Sequence, residues 1–126
     1  MPSPTETTDL SALRELIRQF VDERDWAQFH TPKNLAMAMS IEAAEVMEHF
    51  QWLPTGRELA EDKRRAVGHE LADVLVYLVR LADVLDIDLP AAVADKMALN
   101  RQKYPADRVR GDARKYDEYP DRDDRG

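Results

Sequence analysis

Cysteine is absent from the 126 residues. That excludes disulfides and thiolate metal sites and is in keeping with a reducing, cytoplasmic compartment. Basic charge is in deficit: 18 Lys and Arg stand against 25 Asp and Glu, a formal net charge of −7. A binder of nucleic-acid polymers normally shows a basic footprint, so that class is excluded. An acidic chain can still take a small anion if a divalent cation stands between them. No uncharged apolar run approaches the roughly 18 residues of a membrane span. The opening "MPSPTETTDL" lacks the basic and apolar regions of a signal peptide, so neither membrane insertion nor export is expected. No segment makes a convincing strand.

What is present is helical periodicity. Leu10, Leu13, Leu16, Ile17, Phe20 and Val21 recur at helical spacing and predict a helix from about Asp9 to Trp26. Thr31-Pro32, a capping residue before a first-turn proline, opens a second. It should run to about Leu53, where Pro54 and Gly56 stop it. The third is expected from Glu58 to Leu85, about 40 Å long at 1.5 Å per residue. Asp88 is the expected cap of a fourth, Pro90 to Lys103, which Pro105 ends. One all-α domain over 9–105 is therefore expected, flanked by a flexible 1–8 and a charged tail, 106–126, that is either disordered or docked through a few residues. The third helix is apolar around most of its circumference, from Leu71 to Leu85. Four helices in so short a chain cannot bury it, so the four-helix bundle is expected to assemble into a homo-oligomer.

Two apolar runs carry acids where a core should be. "MSIEAAEVMEHFQWLP" holds Glu42 and Glu45; "GHELADVLVYLVRLADVL" holds Glu70 and Asp73. Residues i and i+3 share a helix face. His49 and Trp52 continue the first stripe, and Tyr77 continues the second. On the fourth helix Lys96, Asn100 and Lys103 share a face. If the acidic stripes face each other, each like-charge pair about 6 Å apart costs roughly 3 kcal/mol at an effective dielectric near 20. Several such pairs strain a domain with a total stability of about 5–15 kcal/mol. Either protons or a cation must intervene, and all-oxygen ligands suit Mg²⁺, Mn²⁺ or Ca²⁺ rather than zinc. The same spacing at Glu58/Glu61 and Asp83/Asp86 is expected to be only a solvated helix face.

The flanking segments sharpen the pattern. Glu42-x-x-Glu45 followed by Glu70-x-x-Asp73, together with "ERDWAQFHTPKNLAMAMSIEAAEVMEHFQW", "ELADVLVYLVRLADVLDIDLP", "KMALNRQKYP" and "RGDARKY", resembles the MazG-like all-α nucleoside triphosphate pyrophosphohydrolases, and in particular their dCTP pyrophosphatase branch. The likeness spans about Phe20 to Tyr116. It implies hydrolysis of a nucleoside triphosphate, dCTP or a modified dCTP, to the monophosphate and pyrophosphate, as in nucleotide-pool sanitation. It implies Mg²⁺, with Mn²⁺ as an alternative, on Glu42, Glu45, Glu70 and Asp73. Glu42, Glu45 and Lys96 would be catalytic, with Glu42 activating the water. Lys96 and Asn100 would contact the triphosphate, Tyr77 the sugar or phosphates, and Trp26, His30 and Trp52 the base. Arg101, Lys103, Lys115 and Tyr116 are further substrate candidates, reaching a neighbouring subunit's site. The resemblance implies a homodimer or homotetramer.

Three rival readings stand beside this one: a broad or dUTP-type pyrophosphohydrolase, a non-catalytic helical interaction module, and a di-iron carboxylate bundle. The last needs Glu-x-x-His on two helices, but Val46 and Ala66 precede His49 and His69 by three residues.

Overall fold

The computed structural model describes residues 9–114 and 117. The flexible N-terminus expected over 1–8, most of the tail beyond 114, and the candidates Lys115 and Tyr116 lie outside the described residues. Those described are all-helical: α1 (Leu10–Glu23), α2 (Pro32–Glu48), α3 (Glu61–Val84), α4 (Leu89–Lys103) and α5 (Ala106–Val109), with a short 3₁₀ turn at Ala27–Phe29. The turn and α5 add to the four expected helices, and α5 falls where only tail was expected. No helix of the described residues is long and apolar enough to cross a membrane.

The helix starts follow side-chain chemistry. Asp9 accepts from the Ala12 amide at 2.7 Å, Thr31 from Asn34 and Asp88 from Ala91. Each satisfies a donor that the first turn leaves open. The ends differ from the periodicity. α1 stops at Glu23 because Asp25 adopts a left-handed conformation, φ +53°, which a short polar side chain tolerates. α2 stops at Glu48, short of Leu53. Phe50 turns back instead, so that its ring occupies the space beside Gly56, φ +75°, where a Cβ would lie 2.5 Å from a ring carbon. α3 opens at Glu61 rather than Glu58, with Glu61 and Asp62 in its first turn, where carboxylates favour the helix dipole.

The chain divides into two compact units. In the first, 1–87, α3 packs along α2 and also against α1. Leu35 of α2, Ile17 and Val21 of α1, and Val67, Val79 and Ala82 of α3 form the buried core. The second unit begins at Asp88 and holds α4 and α5. Within the first unit much apolar surface stays outside. Met37 and Ile41 on α2, and Leu71, Leu75 and Leu78 on α3, are all exposed.

Candidate active site

α2 and α3 run antiparallel. Glu42 lies near enough to Asp73 to feel its charge, while His49, two turns further along α2, reaches Glu70. This arrangement brings Glu42, Glu45 and Glu70 together, each half-buried, with one oxygen from each lying within 4.8 Å of the others. Oxygens bound to one hard cation at about 2.0–2.6 Å are necessarily about that close to each other.

Three carboxylates this near do not all ionise willingly. Glu42 is pushed up to about 7, first by loss of hydration, then by hydrogen bonding with Glu45 and the charges of Glu45, Asp73 and Glu70. Its Oε2 is shut off from solvent without a hydrogen-bond partner, although the side chain as a whole is only half-buried. Glu70 is raised as well, chiefly by hydrogen bonding with Glu45 and by desolvation. The nearby His49 imidazole, with Nε2 3.8 Å from Glu70 Oε1, works against that rise. An orphaned, shielded carboxylate oxygen inside an all-oxygen, multiply acidic cluster fits a hard divalent cation.

Asp73 stands apart from the close triad. It is exposed and lines a cavity of about 380 Å³ in the same unit. The apolar wall comes mainly from α1, through Leu16, Ile17, Phe20 and Val21, with Val76 from α3. Trp26 joins it, packed edge-on against Phe20 with ring centroids 5.7 Å apart. The polar groups are Asp73, Tyr77 and Arg80 on α3 and His30, just before α2. Tyr77, Trp26 and His30 were all expected at the site, and the structure gathers them around one cavity beside the acids.

Arg80 was not expected. Its Nε donates to His30 Nδ1 at 3.1 Å, and its Nη1 lies 3.4 Å from Asp83 Oδ2. Asp83 is gripped from α1 by Arg18, whose Nε donates to the same oxygen at 2.7 Å. These contacts hold the Asp83 carboxyl below its ordinary range, with Arg18 the main cause. The expectation that Asp83 is merely solvated is therefore corrected: its side chain is 8% exposed and ties α1 to α3. A signal existed, since Asp73, Tyr77 and Arg80 are spaced i, i+4 and i+7 on one helix face.

One further candidate of this unit is not gathered here. Trp52 lies in the turns after α2 and is 87% exposed, neither in the core nor in the cavity. Its helical stripe ends with the helix at Glu48, so Trp52 no longer follows the face of Glu45. Lys96, Asn100, Arg101 and Lys103 lie on α4, in the second unit. Asn100 is half-buried and the other three are exposed.

A family model described as MazG-like matches residues 37–119. The dCTP pyrophosphatase 1 of Homo sapiens is 45% identical over 123 residues, covering 94% of this chain and 70% of the human protein. The Rattus norvegicus protein of that name matches to the same extent. A crystal structure of a pyrophosphatase from Archaeoglobus fulgidus is 40% identical, with a TM-score of 0.64, and covers 79% of this chain and 94% of that one.

Proposed function

Because the chain belongs to the MazG-like family, we propose that it hydrolyses a nucleoside triphosphate, dCTP or a modified dCTP, to the monophosphate and pyrophosphate. The observation that carries this reading is the close triad Glu42, Glu45 and Glu70 beside an aromatic-walled cavity of about 380 Å³. Glu42, Glu45 and Glu70 would hold Mg²⁺, with Asp73 as a fourth ligand from the cavity side. A bound Mg²⁺ would supply charge neutralisation and Lewis acidity at the phosphate oxygens.

The chain's own groups do the rest. Glu42 takes a proton from the attacking water, through a carboxylate oxygen not spent on the cation. The water oxygen bonds to the α phosphorus as the bond to the bridging oxygen breaks, and pyrophosphate leaves. Lys96 and Asn100 share a face of α4, and it is the family resemblance that gives them the triphosphate, whose spreading charge a lysine offsets. Trp26 offers a flat wall against which a pyrimidine packs. Tyr77 sits between the acids and Arg80 along α3, level with the sugar. The exposed apolar residues Leu71, Leu75 and Leu78 of α3 support pairing with a second copy, as a dimer or tetramer.

The test is pyrophosphate release from canonical and modified nucleotides, with and without Mg²⁺. dCTP or a modified dCTP should be turned over fastest, and only with the cation. Glu45→Ala should abolish release while the helical circular-dichroism signal is kept. Full activity of that variant would remove the metal-site assignment, and dominance of dUTP would remove the cytosine preference.

A further inference from the structure

The end of the cavity away from the acids has a defined polarity. Arg80 lies seven positions after Asp73 on α3, about 10 Å along the helix. A ligand anchored by its phosphates near Asp73 therefore presents its far edge near Arg80 and His30. Arg80 is not a loose side chain there. It is only 12% exposed and lies against Asp83, which Arg18 holds from α1. A guanidinium has donors and no acceptor, and it does not lose its proton in proteins. Its Nε–H donates to His30 Nδ1 at 3.1 Å, so that ring nitrogen must carry a lone pair. The neutral ring then carries its proton on Nε2. A second ring proton would set N–H against N–H and place two positive charges together. In keeping with this, burial and the charge of Arg80 lower the proton affinity of His30.

We propose that Arg80 is a positioning residue that locks His30 as a one-faced hydrogen-bond donor, so that the cavity prefers a pyrimidine whose ring nitrogen offers a lone pair, cytosine, over one whose ring nitrogen carries a proton, uracil. The inference rests on the reading of this cavity as the nucleobase pocket. The two bases have nearly the same shape and both offer the O2 carbonyl. They differ at C4, an amino group in cytosine and a carbonyl in uracil, and with it at N3, an acceptor in cytosine and a donor in uracil. A donor fixed opposite N3 pairs with one base and leaves two opposed, unpaired donors with the other. Such an unmade bond in a desolvated pocket is where selectivity is greatest. A histidine free to change tautomer would accept from uracil as readily as it donates to cytosine.

The experiment uses the full chain with Mg²⁺, which the phosphate anchor beside the acids requires, and dCMP and dUMP as probes, which have no phosphoanhydride bond to turn over. Long-range ¹⁵N–¹H spectra of the histidine rings, with His30 assigned by its loss in His30→Gln, should show Nε2 protonated and Nδ1 bare. Arg80→Met should let the His30 proton redistribute between the two nitrogens. By calorimetric titration the wild type should favour dCMP. Arg80→Met should cut that preference about tenfold, the scale of one hydrogen bond, and Arg80→Lys, which lacks the Nε donor, should not restore it. In a His30→Gln background, Arg80→Met should change the preference little further, because the residue it acts through is gone.

A protonated Nδ1 in the wild type would overturn the proposal. So would the absence of any dCMP preference, an equal loss of both ligands in Arg80→Met, or penalties that multiply in the double variant. Circular dichroism of each variant reports folding separately. Failure of the enzymatic reading is distinguishable: it would appear as no pyrophosphate from any nucleotide, whatever the state of His30.

Discussion

At the scale of single residues, Glu42 is the most exposed to test. In the cation-free protein its carboxyl stays protonated up to about 7, against an ordinary 4.5. Between those values the native state binds more protons than the unfolded chain, so this group's contribution to stability falls as pH rises through that window. His30, whose proton affinity is lowered, acts in the opposite sense below its ordinary 6.5, so wild type alone would blur the effect. The clean comparison is Glu42→Gln against wild type. In chelator-treated protein, the melting temperature of the variant minus that of wild type should grow from pH 4.5 to 7 and level off above. Millimolar Mg²⁺ at pH 8 should raise the wild-type melting temperature and not that of the variant. A difference that stays flat across the window would mean that Glu42 is ordinarily ionised and the cluster is not strained. Asp83 does not interfere, because its contribution is lost only as pH falls below 3.8.

At the scale of elements, the pairing of α2 with α3 depends on how the chain turns between them. Phe50 and Gly56 make that turn. The ring fills the space where any side chain at 56 would begin, and the backbone there is left-handed, which glycine alone adopts freely. Gly56→Ala should therefore destabilise by about 1–3 kcal/mol in urea unfolding, combining backbone strain with overpacking. Gly111→Ala, also left-handed but facing open space, isolates the backbone part and should cost less. Equal costs would show that the Phe50 ring moves aside freely. The helix caps at Thr31 and Asp88 were legible in advance, because capping depends on one side chain and its near neighbours; Asp9 was expected only as the start of its helix and proves to be its cap. The end of α2 was not, because an aromatic folding back six residues leaves no periodic trace.

At the scale of the whole molecule, many large apolar side chains stay exposed on the single chain. The core of the first unit has six buried side chains, while Leu71, Leu75, Leu78, Met37 and Ile41 remain outside it. Paired substitution Leu71→Glu and Leu75→Glu should lower the mass seen by light scattering at micromolar concentration, since a desolvated carboxylate in a subunit interface is costly. A wild-type chain that already runs as a monomer would end the assembly proposal.

The sequence by itself determined the four longer helices, the caps at Thr31 and Asp88 and the two acidic stripes, because each depends on spacing along one helix and on residue chemistry. The acids themselves were equally legible: Glu42, Glu45, Glu70 and Asp73 all stand in apolar runs, and such acids need a reason. Only the tertiary structure decided which acids touch, leaving Asp73 at the cavity rim. It also removed Trp52 from the pocket and joined Arg18, Asp83, Arg80 and His30 into one chain of contacts. Those four come from three separate segments, and no local pattern encodes a hydrogen bond between residues 50 positions apart. Such contacts exist only once α1 and α3 have packed and excluded the water that would otherwise satisfy each group alone.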